Sequence, residues 1–314
     1  MTRRTAAISA AGVAVALALT WLAVTAIPDG TRPAAATGAG SPDAPALTGR
    51  PDGTASEPPA ATGTATPAPA ALTSAPAAPH ERWQPRVGQT WQWQLSGDLD
   101  LTVDADVYNL DAFTATAEQV TTLHRAGRHV ICYVNVGAYE DFRPDQAAFP
   151  AEILGRPLDG WPGERWLDIR RWDLLEPLLA ERLARCRQKG FDGVEPDNVD
   201  AYANDSGFPL TAGDQLQFNR RVADLAHNAG LAVGLKNDVE QAAALVGVMD
   251  FAVNEECARY RECDTLAVFT DAGKPVFHAE YDLPAGSFCA QTSPLRLSSI
   301  HKRLNLDAYR VPCP

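Results

Sequence analysis

The chain has 314 residues, with 39 acidic against 27 basic side chains and a formal net charge of -12. Before residue 80, Arg3, Arg4, Arg32 and Arg50 are balanced by Asp29, Asp43, Asp52 and Glu57, so the whole excess falls on the remainder. Such acidity disfavours nucleic acid and anionic lipid surfaces, so no nucleic-acid partner is expected, and it would attract a cationic one.

Residues 1–26 form a targeting segment, in which Arg3 and Arg4 precede an apolar run from Ala6 to Ala26. Two readings fit its length: a signal peptide cleaved after Val24-Thr25-Ala26, or an N-terminal membrane anchor. Either one makes the protein secreted or extracellular, in the second case tethered to the cell surface. Residues 27–79 are almost wholly Ala, Pro, Thr, Gly and Ser. Lacking an apolar face to bury, they are expected to form a disordered low-complexity linker. Residues 80–314 remain, about the length of one α/β barrel. Its six cysteines are even in number and lack zinc-ligand spacing, which in an exported chain points to disulfides. The pairing expected is Cys132–Cys186, Cys257–Cys263 and Cys289–Cys313.

Along this domain short apolar runs alternate with amphipathic stretches. Strands are expected at Trp91–Leu95, Asp106–Leu110, His129–Val136, Arg165–Ile169, Phe191–Asp197, Leu231–Lys236, Asp250–Glu255 and Pro275–Glu280. Helices are expected over Thr116–Ala126, Asp173–Lys189, from Thr211 or Asp214 to Asn228, and over Val239–Val248 with Asp238 as N-cap. The link between the first two strands is too short for a helix. Eight strands alternating with helices predict a single (β/α)8 TIM-like barrel.

Enzymes of this architecture carry their chemistry at the C-terminal ends of the strands. Here those ends hold Asn109 and Asp111, Asn135, Asp168, Glu195 and Asp197, Lys236 and Asn237, Glu255, and Glu280 to Asp282. Glu195 and Asp197 are two apart in one strand and so share a face. Burying both is costly unless they are paired, hydrated or used; a structural ion network or a calcium loop would be the non-catalytic explanation. There is no GxSxG elbow, phosphate-cradling glycine loop or dinucleotide fingerprint, and the histidines do not cluster. The remaining set of carboxylates with Tyr, Trp, Asn and Lys suits glycoside hydrolysis, which calls for no metal or cofactor. Trp161 and Trp166 are candidate platforms for sugar faces.

The ordered motifs VYNLD (to Asp111), CYVNVGAYEDFRPD (Cys132–Asp145), WLDIR (Trp166–Arg170), GFDGVEPDNVDAY (Gly190–Tyr202), VGLKND (Val233–Asp238), VNEEC (Val253–Cys257) and KPVFHAEY (Lys274–Tyr281) resemble glycoside hydrolase family 114, the endo-α-1,4-polygalactosaminidase type. The resemblance implies internal cleavage of α-1,4-linked galactosamine-containing polysaccharide by a monomer. Where deacetylated, that substrate is a cationic galactosaminoglycan, which gives the acidic domain a purpose. It also implies Asp197 as nucleophile or charge stabiliser, Glu195 as the reserve for that role, and Glu255 as general acid/base. Tyr108, Asp111, Tyr133, Glu140, Asp168, Lys236, Asn237 and Tyr281 would line the substrate subsites, with Lys236 offsetting charge in the cleft rather than touching a cationic sugar. The alternatives are hydrolysis of another α-linked polysaccharide and a non-catalytic polysaccharide-binding barrel.

Overall fold

A computed structural model describes residues 82–314; the targeting segment and linker expected over 1–79 lie outside the described residues. The chain enters through β1 (Trp91–Gln94), crosses by a loop to β2 (Val107–Asp111), and passes through α1 (Ala117–Arg125) to β3 (His129–Asn135). It then leaves the barrel to build an antiparallel sheet from β4 (Ala138–Glu140), β5 (Leu154–Pro157) and β6 (Glu164–Leu167), with β6 in the middle. Helix α2 (Trp172–Lys189) returns it to β7 (Gly193–Asp197), which pairs directly with β3. There follow α3 (Ala212–Asn228), β8 (Ala232–Lys236), α4 (Ala242–Leu245) and β9 (Phe251–Glu255). The last part comprises α5 (Cys257–Tyr260), α6 (Ala267–Asp271), β10 (Val276–Glu280), α7 (Ala285–Thr292), β11 (Ser298–His301) and β12 (Val311–Pro312).

The curled sheet thus has eight parallel strands, in the order β1-β2-β3-β7-β8-β9-β10-β11, with the short β12 antiparallel at its edge. This is the TIM-like barrel expected, but two strands differ from the reading above. The fourth expected strand, Arg165–Ile169, supplies β6 instead. Trp166 pairs antiparallel with Ala138, outside the barrel. A short apolar run carries no sign of whether its partner is parallel or antiparallel. The eighth parallel strand is β11, whose Ser298-Ser299-Ile300-His301 holds one aliphatic side chain and gives almost no periodic signal.

Capping chemistry sets the longer helices. Thr116 with Gln119, and Thr211 with Asp214, form reciprocal capping boxes at the starts of α1 and α3. Helix α2 ends at Gly190 in the left-handed region, φ 93°. The helix expected over Val239–Val248 is only a 3-10 turn followed by the four residues of α4. Asp238 makes no capping bond and itself sits at φ 41°.

Alternation along the strands sorts side chains into two layers. Outward residues such as Tyr108, Leu110, Val130, Cys132, Val194 and Val233 pack in one cluster with Val120, Leu183 and Phe218 of the helices. Inward, Trp91, Trp93, Val107, Ile131, Phe251, Val253 and Phe277 plug the barrel. Trp91 stacks on Trp93 at 5.5 Å between ring centroids and tilts against Phe277 at 5.4 Å. Gly234 leaves room for this plug, since a Cβ there would lie 2.3 Å from the Phe251 ring. The disulfides are the three expected: Cys132–Cys186 ties β3 to α2, Cys257–Cys263 closes a loop after β9, and Cys289–Cys313 ties α7 to the C-terminal segment.

Among the described residues no ladder joins β1 to β11. The C-terminal segment bridges that seam instead. Arg310 donates to the Trp91 carbonyl at 2.7 Å, Gln92 to that of Ala308 at 3.0 Å, and Leu95 N–H to that of Leu306 at 2.9 Å.

Candidate active site

The aromatic plug forms the floor on which three adjacent strand ends converge. Inward alternation brings Glu195 and Asp197 of β7, Lys236 of β8 and Glu255 of β9 to the same end of the barrel. The Lys236 ammonium lies 3.1 Å from Glu195, 2.9 Å from Asp197 and 3.1 Å from Glu255, and 4.9 Å above the centroid of the Trp93 ring. One buried cation therefore serves three carboxylates. That settles the position of Lys236: it is bonded to the acids, and the carboxylates hold its pKa well above that of a free lysine despite its burial.

Each carboxylate has a further partner. Asn109 donates to Glu195, Tyr133 donates to Asp197 at 2.7 Å, and Tyr281 donates to Glu255. Asn237 gives Glu255 a second contact at 3.3 Å, while its own side-chain oxygen accepts the Glu255 backbone N–H at 2.9 Å. Surroundings separate the β7 pair. Burial pushes Glu195 up to about 7, against the pull of Lys236. Asp197 is partly buried, but Lys236, the Tyr133 hydroxyl and the Asn198 backbone outweigh the loss of solvent and hold it below the usual carboxylate range. Asp197 is thus anionic near neutrality, whereas Glu195 sits beneath it near its titration midpoint.

The backbone around the cluster is unusual. Asn198, Asn237 with Asp238, and Glu256 follow β7, β8 and β9 directly, and all have positive φ, between 41° and 61°. Non-glycine residues in this region store strain and gather where a site over-determines the chain. Gly137 meets the same turn from the β3 side. A Cβ there would fall 1.7 Å from the Asn198 carbonyl oxygen, so any side chain would displace the end of the strand bearing Asp197.

Above the cluster opens a cleft of about 840 Å³. One wall is the antiparallel sheet with its loops, including Glu140, Phe142, Trp161, Glu164 and Trp166; the other is the C-terminal stretch Leu304–Leu306. Eight carboxylate side chains and three cationic ones line it. Trp161 is half exposed and Trp166 buried, so only the former presents an open ring face. Asp111 and Glu140 line the cleft as expected but are committed to Arg143, at 2.8 Å each.

The expected site residues thus divide. Asp197, Glu255, Glu195, Tyr133, Lys236, Asn237 and Tyr281 form one connected cluster, with Asp111 and Glu140 beside it. Tyr108 and Asp168 do not belong. Tyr108 occupies the outward face of β2, one residue out of phase with Asn109, and its hydroxyl donates to the Val103 carbonyl at 2.7 Å. Asp168 follows β6 rather than a barrel strand and is held by Arg170 at 2.7 Å, away from the cleft lining. Of the four cleft acids not singled out in the sequence, Asp159, Glu164, Asp200 and Asp205, two feel the charge of Asp197: Glu164, which precedes the expected strand, and Asp200, which belongs to the same DNVD run. Burial pushes them up to about 7 and about 6 respectively, with help from neighbouring carboxylates. Among the described residues the one grouping close enough to hold a metal is Cys257, Cys263 and His278, whose two sulfurs are joined in a disulfide.

A parallel barrel with carboxylates converging at its C-terminal rim, under an open cleft with an exposed tryptophan, defines the class: a glycoside hydrolase. Residues 72–314 match the family described as glycoside-hydrolase family GH114, and the chain belongs to that family. Among solved structures it is similar to Aspergillus fumigatus Ega3, crystallised in complex with galactosamine, at 40% identity and TM-score 0.70 over 74% of this chain and 97% of that one. The glycoside hydrolase domain of PelA from Pseudomonas aeruginosa shares the fold at 17% identity and TM-score 0.57, over 71% of this chain and 97% of that one. An uncharacterized protein of Deinococcus radiodurans is 29% identical over 177 residues, 49% of this chain, and the match spans only 56% of that protein's length.

Proposed function

We propose that this protein is an exported, monomeric, endo-acting hydrolase of α-1,4-linked galactosamine-containing polysaccharide. The observation that carries the reading is the Lys236 hub, because it fixes two cleft carboxylates at a working distance. Asp197 Oδ1 and Glu255 Oε2 contact the same ammonium at 2.9 and 3.1 Å, so these oxygens are no more than about 6 Å apart. That spacing fits the roughly 5–5.5 Å of double-displacement glycosidases better than the wider gap that admits a water between the acids.

In this reading Asp197, kept anionic by Lys236 and Tyr133, attacks the anomeric carbon. Glu255 protonates the departing glycosidic oxygen, and a glycosyl ester forms on Asp197. Glu255 then takes a proton from the water that hydrolyses the ester, so the anomeric configuration is retained. The galactosamine bound to Ega3 and the excess of acid in the cleft support an amino-sugar polymer as substrate. The three disulfides support export.

The test is reducing-end release from partly deacetylated α-1,4-galactosaminogalactan by wild type, Asp197→Asn and Glu255→Gln. Release by wild type, with a loss of about a thousandfold or more in kcat for each variant, is expected. A variant near full rate would remove that residue from its role, and an inactive wild type would remove the substrate.

A further inference from the structure

The antiparallel sheet beside the barrel holds a charge mismatch that the reaction does not use. Glu140 and Glu164 stand directly opposite each other on β4 and β6. Like charges facing each other across a strand pair are destabilising unless each has a counter-charge. Glu140 has two, Arg143 at 2.8 Å and Arg182 at 3.6 Å. Both arginines are also committed elsewhere, Arg143 to Asp111 at 2.8 Å and Arg182 to Asp145 at 2.7 Å. Glu164 makes no ion pair among the described residues. Its carboxylate receives only a long hydrogen bond from Asn135, at 3.4 Å. Asn135 in turn pairs in register with Asp197, so Glu164 lines the cleft beside the reacting end of β7.

A partly buried carboxylate facing a like charge, with every nearby cation already engaged, lacks a positive partner that a ligand can bring. We propose that Glu164 anchors the ammonium group of an amino sugar bound in the cleft and so selects free-amine over N-acetylated units at that subsite. This rests on the reading of the protein as a galactosamine-polymer hydrolase. An ammonium donates a charge-assisted hydrogen bond and cancels the Glu140–Glu164 repulsion; an acetamide does neither. Burial, then Glu140 and Asp197, push the Glu164 carboxyl up to about 7, Arg143 opposing them. An arriving ammonium reverses that push, so amine binding near neutrality expels a proton.

Calorimetric titration of galactosamine and N-acetylgalactosamine into the wild-type protein and Glu164→Gln separates this inference from the reading beneath it, because binding does not require cleavage. The preference for the amine is expected to fall about tenfold in the variant, the equivalent of one charge-assisted contact. The same fall should appear in the kcat/KM ratio between deacetylated and acetylated oligosaccharides, carried mainly by KM. An unchanged preference, or an equal loss of kcat on both substrates with no change in binding, would overturn it. If the wild-type protein binds galactosamine but releases no sugar, the hydrolase reading falls, while the amine preference still decides the role of Glu164.

Discussion

The cleft brings together two groups of acids that solve the same electrostatic problem differently. On the barrel side, Glu195, Asp197 and Glu255 share one buried lysine, and each has a further donor in Asn109, Tyr133 or Tyr281. On the antiparallel wall, Glu140 takes both arginines and Glu164 is left without one. In the saturated group every acid is held by the lysine and by a neutral donor, as bond-making groups must be held closely to their geometry. The unsaturated one keeps a vacancy of charge that only a ligand fills. On the proposed roles, pairing separates the residues that act on a bond from the one that recognises a substituent.

Breaking the saturated group should have the larger effect. Lys236→Met leaves one buried and two partly buried carboxylates without a cation, which costs about 3–5 kcal/mol and lowers Tm by about 10 °C. Because protonation relieves that repulsion, the deficit should shrink as pH falls from 8 towards 4, as thermal unfolding of wild type and variant across that range would show. A constant deficit would mean that packing, not charge, is what the lysine provides.

The unsaturated group should respond in the opposite direction. Glu164→Gln removes a like charge facing Glu140 and should raise Tm by about 2 °C at pH 8. The sign follows from linkage. The carboxyl of Glu164 titrates near 4.5 in the unfolded chain and near 7 in the fold. Wild-type stability from this group is therefore full below about 4.5 and lost as pH rises through 7. The advantage of the variant should appear over that window and vanish below it. A variant less stable than wild type at pH 8 would show that Glu164 already has a partner. The smallest effect sharpens the boundary of the site. Tyr108→Phe should lose about 1 kcal/mol of stability with the Val103 hydrogen bond and leave kcat/KM unchanged, since Tyr108 faces the helices; a drop in rate would place that face of β2 in the cleft.

The barrel was legible because its strands are apolar runs punctuated by glycine and its helices carry capping signals at Thr116, Thr211 and Gly190. The shared face of Glu195 and Asp197 followed from alternation alone. The same alternation, applied with Asn109 inward, puts Tyr108 on the other face and contradicts its expected place in the subsites. What stayed hidden depends on partners remote in sequence. Nothing in Arg165–Ile169 tells a barrel strand from a wall strand, and β11 is too polar to announce itself. The convergence of three acids on Lys236 needs register across β7, β8 and β9, which no local pattern contains. Glu164 escaped notice because its meaning lies in the ions its neighbours have already taken.

The seam between β1 and β11 bears on how the chain matures. Contacts such as Arg310 to Trp91 and Ala308 to Gln92 join positions more than two hundred residues apart. Loop closure on that scale is slow and comes late, and Cys289 cannot find Cys313 until the same stretch is in place. During synthesis the sheet therefore stays unsealed until Arg310 has left the ribosome. For the export proposed above, that delay would let the chain be threaded across a membrane before its barrel locks.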